Sequence, residues 1–199
     1  TDGLGSVWRL HENAYKPFPS GIVTHGATTA ALEVALRDKP DPAQIEHVDL
    51  VVHPLCMKLT GRRNPRTAVE GTFSVFHWVA VALIERRIGI AQFSDACVLD
   101  PKVIALRDRC DATTDESYRR DEANIRIRMK DGRVIEHHVK IALGSMERPM
   151  NDAELTAKLR DLVDHVIGER AGAALAEVCW GIAEMPDAKV LVDRACGVV

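Results

Sequence analysis

The sequence predicts an α+β domain in which a small antiparallel sheet packs against helices. Residues 124–129 and 135–141 each alternate apolar and polar side chains, and residues 130–133 separate them as a type I′ hairpin turn would. Apolar side chains recur at helical spacing over residues 155–167. Strand and helix patterns do not alternate regularly along the chain, so a doubly wound parallel sheet is disfavoured.

The first elements are predicted in the order strand, turn, helix and strand. Residues 6–11 read as a short strand, and residues 22–37 carry Ala and Leu at helical spacing. A proline-containing segment ends that helix. Residues 45–52 then alternate as a half-buried strand requires, and Pro54 ends the strand.

The middle of the chain is predicted to be a loop followed by helices. Residues 60–67 form the loop because of their Gly, Asn and Pro content, and an apolar helix covers residues 72–84. Residues 90–109 hold short helices, one of which starts at Asp100 and Pro101.

The C-terminal part is predicted to be helical. Asn151 and Glu154 indicate a capping box at the start of the helix that carries the apolar stripe. Two further helices follow over residues 170–183 and 188–196. We therefore divide the chain into an α+β domain at residues 1–150 and a helical segment at residues 151–199.

Composition excludes several classes of function. The 199 residues are 46% hydrophobic, which is enough for an ordinary core, and a formal net charge of -3 argues against a nucleic-acid partner. The apolar run over residues 75–84 is too short to span a bilayer, and the opening residues lack a signal-peptide pattern. Five scattered cysteines show no metal-binding spacing, so we expect no metal site and a reducing, cytoplasmic location.

The turn over residues 15–26 is the most informative functional feature, because it places a cation and an imidazole beside a helix start. Lys16 precedes a Pro-Phe-Pro run, Ser20 can cap the helix, and His25 follows. A helix N-terminus presents free N–H groups and partial positive charge, so this turn could bind an anion. The alternative interpretation is a structural turn with a surface lysine and a helix histidine.

Other candidate side chains in the middle of the chain favour structural interpretations. Arg62, Arg63 and Arg66 could grip a carboxylate through paired hydrogen bonds, but a solvated loop explains at least two of them. His77 lies beside Trp78 in the apolar helix, which is typical of a core histidine.

The remaining candidates do not indicate a function. His137 and His138 fall on opposite faces of a strand, so they cannot share a metal ion. Cys56 and Cys97 lie beside no recognisable base and are expected to be buried. The apolar stripe that begins at Leu155 could be a core face or an oligomer contact.

Four stretches of the sequence together indicate a family. They are residues 3–5 with Trp8, residues 16–25, residues 73–82 with Gly89 and Phe93, and residues 131–133 followed by residues 150–155. The turn from Lys16 to His25 is the most specific of them. In this order the four stretches resemble the C-terminal part of the MmgE/PrpD family, which includes 2-methylcitrate dehydratase, cis-aconitate decarboxylase and iminodisuccinate epimerase.

The resemblance implies a lyase that acts on small di- or tricarboxylates, by removal of a proton next to a carboxylate and without a metal or organic cofactor. Loss of water, as in a 2-methylcitrate dehydratase, is the favoured reaction. Such chemistry needs cations to hold the substrate and a base of near-neutral pKa. For this chemistry we expect catalytic roles for His25 and Lys16, and substrate binding by Lys16, Arg63 and Trp78. The resemblance also implies a homodimer.

The chain departs from the family pattern in two places. Ser20 and Gly21 stand where many members carry Cys or His, and Trp78 stands where many carry Tyr. An indole N–H can donate a hydrogen bond but cannot act as an acid or base. This difference disfavours the cis-aconitate decarboxylase end of the family.

The resemblance also implies a protein of two parts, a larger helical N-terminal half and a smaller α+β lid. The chain matches only the lid and the helices that follow it. We therefore expect little or no activity from this polypeptide without the helical half. A non-catalytic small-molecule binding or interaction module that keeps the lid fold is the alternative function.

Overall fold

The computed structural model describes residues 2–196, with the backbone alone described at His11. The chain divides between Pro149 and Met150 into two compact units. The first unit holds a four-stranded sheet and six α-helices, and the second holds three α-helices, within the described residues. The predicted α+β class is therefore confirmed.

The prediction of a strand at residues 6–11 is wrong. The chain instead forms turns followed by a 3₁₀ helix over Leu10–Glu12. Gly3 and Gly5 have φ angles of 77° and 82°, and the N–H of Val7 donates to the Gly3 carbonyl at 2.8 Å. Left-handed backbone at two glycines curls the segment into a turn, so it cannot extend along the sheet.

The helix predicted at residues 22–37 is confirmed. A 3₁₀ turn over Ile22–Thr24 leads into α1, which covers His25–Arg37. Ser20 does not cap this helix, because its hydroxyl hydrogen-bonds the Thr24 hydroxyl at 2.9 Å. Strand β1 follows over Ile45–Val52, as predicted.

Five α-helices follow β1 before the next strand, and each begins with a side-chain cap. At α2 the chain turns at Pro54, and Nδ1 of His53 accepts a hydrogen bond from the Leu55 N–H at 3.0 Å. The predicted apolar helix is α4, which starts at Val75 because Ser74 caps it, and Asp100 caps α6 as predicted. These helices are α2 at Pro54–Thr60, α3 at Ala68–Gly71, α4 at Val75–Glu85, α5 at Asp95–Val98 and α6 at Pro101–Arg107.

Three more strands complete a mixed sheet. They are β2 at Cys110–Thr114, β3 at Ala123–Met129 and β4 at Val134–Val139, and the strand order is β2-β1-β3-β4. The β1–β3 and β3–β4 pairs are antiparallel, whereas β1 and β2 are parallel. The predicted antiparallel sheet thus omitted β2, a short strand at the edge.

The predicted hairpin is confirmed, but the prediction of a type I′ turn is wrong. The N–H of Gly132 donates to the Met129 carbonyl at 2.9 Å, and the N–H of Met129 donates to the Arg133 carbonyl at 2.8 Å. Gly132 has a φ of 87°, whereas Lys130 and Asp131 do not have positive φ angles. A type I′ turn needs positive φ at both central residues, so this is a three-residue loop that ends on a left-handed glycine.

The core lies on one face of the sheet. Helix α1 contacts β3 and β4 and packs against α4, whose residues from Val75 to Leu83 are all buried. Ile125 and Ile127 of β3 are fully buried, whereas Arg126 and Arg128, which alternate with them, are exposed. Burial of this apolar face drives the packing of helices on the sheet.

The second unit consists of α7 at Asp152–Ile167, α8 at Glu169–Trp180 and α9 at Lys189–Ala195. The predicted capping box at its start is confirmed, with Asn151 and Glu154 exchanging hydrogen bonds of 2.8 and 2.9 Å. No residue of α7 is fully buried. Every helix within residues 2–196 is too short or too polar to cross a bilayer.

Candidate functional site

A cleft of about 430 Å³ opens in the first unit beside the start of α1. Pockets of this size hold small organic ligands. Its walls come from segments far apart in the sequence, so the cleft exists only in the folded chain. The lining residues lie within 14–16, 22–25, 55–59, 119–121 and 142–146.

Lys16, predicted to bind a carboxylate, lines this cleft. The backbone N–H of its neighbour Tyr15 donates to the Gly144 carbonyl at 3.1 Å. Gly144 has a φ of 82°, and a Cβ there would lie 2.2 Å from the Tyr15 carbonyl oxygen and 2.7 Å from Cδ of Pro17. Only glycine allows this close approach, which fixes the backbone on both sides of Lys16. The ammonium group forms no ion pair or hydrogen bond with any described residue.

His25, predicted to be the base, also lines the cleft. Its side chain opens α1 and is only 3% exposed, and the Phe18 ring meets it edge-on at 5.5 Å. Nε2 has no hydrogen-bond partner in the described chain. Burial, aided by the positive charge of Lys16, lowers the pKa of His25 to about 4, although a hydrogen bond to the Ser20 backbone opposes this shift. The imidazole is therefore neutral at pH 7.

One ring nitrogen of His25 is buried without a hydrogen-bond partner among the described residues. The hydrogen bond to the Ser20 backbone raises the pKa of His25, so the ring N–H is its donor. Nε2 is the ring nitrogen that has no partner. Nδ1 then carries the proton, and Nε2 keeps a free lone pair. A buried neutral imidazole with one free nitrogen is a suitable general base once a ligand lies against it.

The loop between β2 and β3 adds cations that the sequence patterns did not predict. Arg119 and Arg120 both line the cleft. Arg119 is paired with Asp121 at 3.2 Å and with Glu147 at 2.5 Å. Arg120 is exposed and has no ion pair or hydrogen bond within the described residues. In the sequence, these two arginines stand out as a dibasic pair shortly before an alternating strand.

Gly26 holds this loop against the start of α1. A Cβ at Gly26 would lie 2.5 Å from the carbonyl oxygen of Asp121 and 3.2 Å from the carbonyl carbon of Glu122. The backbone of the loop therefore touches the helix at a point that no side chain can occupy. This contact sets the distance between His25 and the arginine loop.

The start of the 3₁₀ turn Ile22–Thr24, which leads into α1, also faces the cleft. Ile22 and Val23 line it, and their backbone N–H groups donate to no described acceptor. The first turn contains no acidic residue and no side-chain cap. Unpaired N–H groups at a helix start favour an anion.

An ion-paired cluster lies beside the wall of the cleft that residues 142–146 form. Arg148 pairs with Glu33 of α1, and Nε2 of His137 hydrogen-bonds the same carboxylate at 2.5 Å. The N–H of Gly144 donates to the Arg148 carbonyl at 2.9 Å, so the pair anchors the segment that carries Gly144. Burial alone would raise the pKa of Glu33, but hydrogen bonds from Arg148 and His137 lower it overall.

Arg63 and Trp78, predicted to bind substrate, do not line the cleft. The guanidinium of Arg63 donates to the Cys110 carbonyl at 2.6 Å, pairs with Asp111, and lies 4.0 Å above the Phe76 ring. Trp78 is 1% exposed within the core on α4. The structure thus brings Lys16 and His25 together and places the other two elsewhere.

The remaining candidates occupy separate positions. His77 is fully buried, Arg62 pairs with Glu70 at 3.1 Å, and His138 hydrogen-bonds Glu122 at 2.8 Å. The described residues contain no group of three or more His, Cys, Asp and Glu side chains placed to hold a metal ion. Burial raises the pKa of the Cys56 thiol to about 11, which leaves it unreactive at pH 7.

Comparison with known proteins assigns the chain to a family. The family model described as MmgE/PrpD C-terminal domain matches residues 18–182. Cis-aconitate decarboxylase from Aspergillus terreus is 24% identical over 206 residues, and its counterpart from strain NIH 2624 / FGSC A1156 is 23% identical. Each match covers 96% of this chain but 42% of the relative, so the chain spans less than half the length of these curated relatives. Because the family model covers most of its residues, the chain belongs to the MmgE/PrpD family and carries its C-terminal domain.

Proposed function

We propose that this chain is the C-terminal part of a lyase that acts on small di- or tricarboxylates. The observation that carries the proposal is the meeting of Lys16, Arg120 and His25 in one cleft. Two unpaired cations and a neutral buried imidazole suit an enzyme that binds an anion and removes a proton from it. Membership of the MmgE/PrpD family and the cis-aconitate decarboxylase relatives support a lyase of this kind.

In this proposal Lys16 and Arg120 bind the substrate carboxylates. A guanidinium can hold a carboxylate through two parallel hydrogen bonds, whereas an ammonium acts as a point charge. The free N–H groups at Ile22 and Val23 add partial positive charge to the same wall. These groups also stabilise the extra negative charge that develops when a proton leaves the carbon next to a carboxylate.

His25 is the proposed base, and substrate binding makes it more basic. The pKa of about 4 reflects burial and the nearby charge of Lys16. A carboxylate bound at Lys16 neutralises that charge and adds a negative one, so it raises the pKa of His25 toward the operating pH. The imidazole then takes a proton only when an anionic substrate is present.

We propose dehydration, of the 2-methylcitrate dehydratase kind, as the reaction. The proton passes from the carbon next to a carboxylate to Nε2 of His25, and the C–H electron pair becomes an enolate. That pair then forms the carbon–carbon double bond as the hydroxyl on the neighbouring carbon leaves. The proton held by Nε2 of His25 passes to the leaving hydroxide, directly or through solvent, which gives water and restores the neutral imidazole. The sequence feature that favours this reaction over decarboxylation is Trp78, which stands where many members of the family carry Tyr.

The chain alone is proposed to bind substrate weakly and to turn it over little or not at all. The chain spans 42% of the length of its curated relatives, and in this proposal a helical half of the enzyme supplies further walls of the pocket. A non-catalytic binding module with the same cleft is the second candidate. The unpaired cations are equally compatible with that function, because they require only an anionic ligand.

Calorimetric titration with citrate tests the carboxylate site. We expect Lys16→Gln and Arg120→Gln each to weaken citrate binding about tenfold, as the loss of a charge-assisted hydrogen bond does. Arg126→Gln is the matched control, because Arg126 is an exposed arginine outside the cleft. Citrate affinity that is unchanged in both cleft variants would remove the proposed site.

Turnover in a protein that includes the helical half separates the two functions. His25→Asn keeps a similar shape without the base, so we expect citrate binding within a few-fold of wild type and turnover lower by about a hundredfold. Formation of an unsaturated acid from 2-methylcitrate by the wild type supports the enzyme. Binding without any turnover by the wild type supports the module.

A further inference from the structure

The cleft has an apolar wall beside its cationic one. Large hydrophobic side chains line it from three segments, namely Ile22, Leu55, Leu59, Leu143 and Met146. The charged lining of this cleft comes from the segments that carry Lys16 and residues 119–121. A ligand that fills the cleft therefore meets more hydrocarbon than charge.

The apolar wall is open to solvent. Ile22 is 58% exposed, Leu59 is 52% exposed and Met146 is 59% exposed. Single exposed hydrophobic residues are common on protein surfaces, but convergence of several in one concave site marks a binding surface. Burial of such side chains by a ligand is favourable in proportion to the apolar area that is covered.

The two walls adjoin at the start of α1. Leu55 and Leu59 are four residues apart on α2, so they lie on the same helix face. Helix α2 contacts the 3₁₀ turn Ile22–Thr24, which leads directly into His25. The apolar face of α2 thus lies beside the segment that leads into His25, and both line the same cleft.

The volume of the cleft exceeds the needs of a small polar acid. At about 430 Å³ it lies within the range of pockets that enclose drug-sized molecules. Citrate or succinate carries charge over most of its surface and would leave Leu55, Leu59 and Met146 without a partner. A ligand with an anionic head and a hydrocarbon arm matches both walls.

We infer that the cleft selects carboxylates that carry an alkyl chain several carbons long. The carboxylate head lies at Lys16 and Arg120, and the alkyl chain lies along Ile22, Leu59 and Met146. The placement of the carboxylate head rests on the proposed function. The preference for an alkyl chain rests on the apolar wall alone.

A homologous series of alkylsuccinates tests the inference by titration calorimetry on the chain. We expect affinity to rise about threefold for each added methylene from succinate to hexylsuccinate, because each buried methylene contributes a similar increment. Leu59→Asn should reduce that rise, whereas Leu99→Asn should not. Leu99 is the matched control, since it is 53% exposed and lies outside the cleft.

The outcomes separate this inference from the proposed function. Equal affinity for succinate and hexylsuccinate overturns the alkyl selectivity, whatever the cations do. If affinity rises with chain length but Lys16→Gln and Arg120→Gln have no effect, the alkyl site stands and the carboxylate site fails. An identical rise in Leu59→Asn and wild type overturns the placement of the chain on α2.

Discussion

The carbonyl of Gly144 accepts a hydrogen bond of 3.1 Å from the N–H of Tyr15, and this contact ties two walls of the cleft together. Lys16 follows Tyr15 directly, so its position depends on a loop more than a hundred residues away in the sequence. Arg148 anchors the same loop to Glu33 of α1. The lysine is therefore held by backbone geometry, although its side chain is free.

Gly144→Ala should displace Lys16. The new Cβ would lie 2.2 Å from the Tyr15 carbonyl oxygen at a φ of 82°, so we expect a loss of about 2–3 kcal/mol in the free energy of unfolding, together with weaker citrate binding. Gly132→Ala is the control, because Gly132 has a φ of 87° but no atom near its Cβ position. It should lose about 1 kcal/mol from backbone strain alone. Equal losses in the two variants, measured by urea unfolding, contradict the prediction.

Gly26→Ala should destabilise the chain even though alanine normally favours a helix over glycine by about 1 kcal/mol. The added Cβ would meet the Asp121 carbonyl oxygen at 2.5 Å and push the arginine loop away from α1. We expect a loss of about 2 kcal/mol by urea unfolding. In Gly181→Ala the nearest atom is 3.5 Å from the new Cβ, so that variant should remain within about 0.5 kcal/mol of wild type. A stabilised Gly26→Ala would show that the helix and the loop do not touch.

The buried histidines predict a loss of stability in acid. Burial, with the charge of Lys16 at His25 and of Arg107 at His77, lowers both pKa values from 6.5 to about 4. Between pH 6.5 and 4 the unfolded chain therefore binds more protons than the folded chain, and the free energy of unfolding falls as the pH falls. The effect is absent above pH 6.5 and amounts to on the order of 3 kcal/mol per histidine at pH 4.

Replacement of His77 by leucine isolates one of these contributions. Neither ring nitrogen of His77 has a hydrogen-bond partner among the described residues, so His77→Leu should be as stable as wild type at pH 7 or about 1 kcal/mol more stable. Its unfolding free energy should fall less steeply between pH 6.5 and 4. The exposed His165→Leu should keep the wild-type slope. A His77→Leu chain with the wild-type pH dependence would falsify the assignment.

Arg148→Met should raise the pKa of Glu33, because it removes a hydrogen-bonded guanidinium from a partly buried carboxylate. The lowered pKa contributes stability above the unfolded value of 4.5 that is lost as the pH falls through the folded pKa. Carbon-13 NMR of the Glu33 carboxyl group measures the shift directly. Arg126→Met, which removes an exposed pair with Glu136 at 3.3 Å, is the control and should leave Glu33 unchanged. An unaltered Glu33 titration in Arg148→Met sinks the prediction.

Local patterns predicted the elements that bury one regular face. The β3–β4 hairpin was predictable because buried Ile125 and Ile127 alternate with exposed arginines, and the start of α7 because Asn151 and Glu154 form a capping box. Strand β2 was not predictable, since Cys110 is its only fully buried residue and the other four are polar or small. The turns before Leu10 were missed because the left-handed glycines outweigh the apolar residues beside them.

The candidate site was predictable only in part, because it depends on distances between remote segments. Lys16 and His25 lie nine residues apart around one turn, so sequence alone could pair them. Arg120 joins them because the backbone of its loop packs on Gly26, which no local pattern reveals. Arg63 is a candidate because a guanidinium can grip a carboxylate, and Trp78 because of the family resemblance, whereas their positions depend on the packing of α4 and β2.

Most of the cleft is built from loops and helix starts that stand outside the hydrophobic core. Residues such as Leu59, Met146 and Arg120 can be substituted without loss of the contacts that bury the sheet. Substitutions there can therefore change ligand preference without changing thermal stability. A randomised library confined to these surface positions should therefore yield many folded proteins with altered acid preferences.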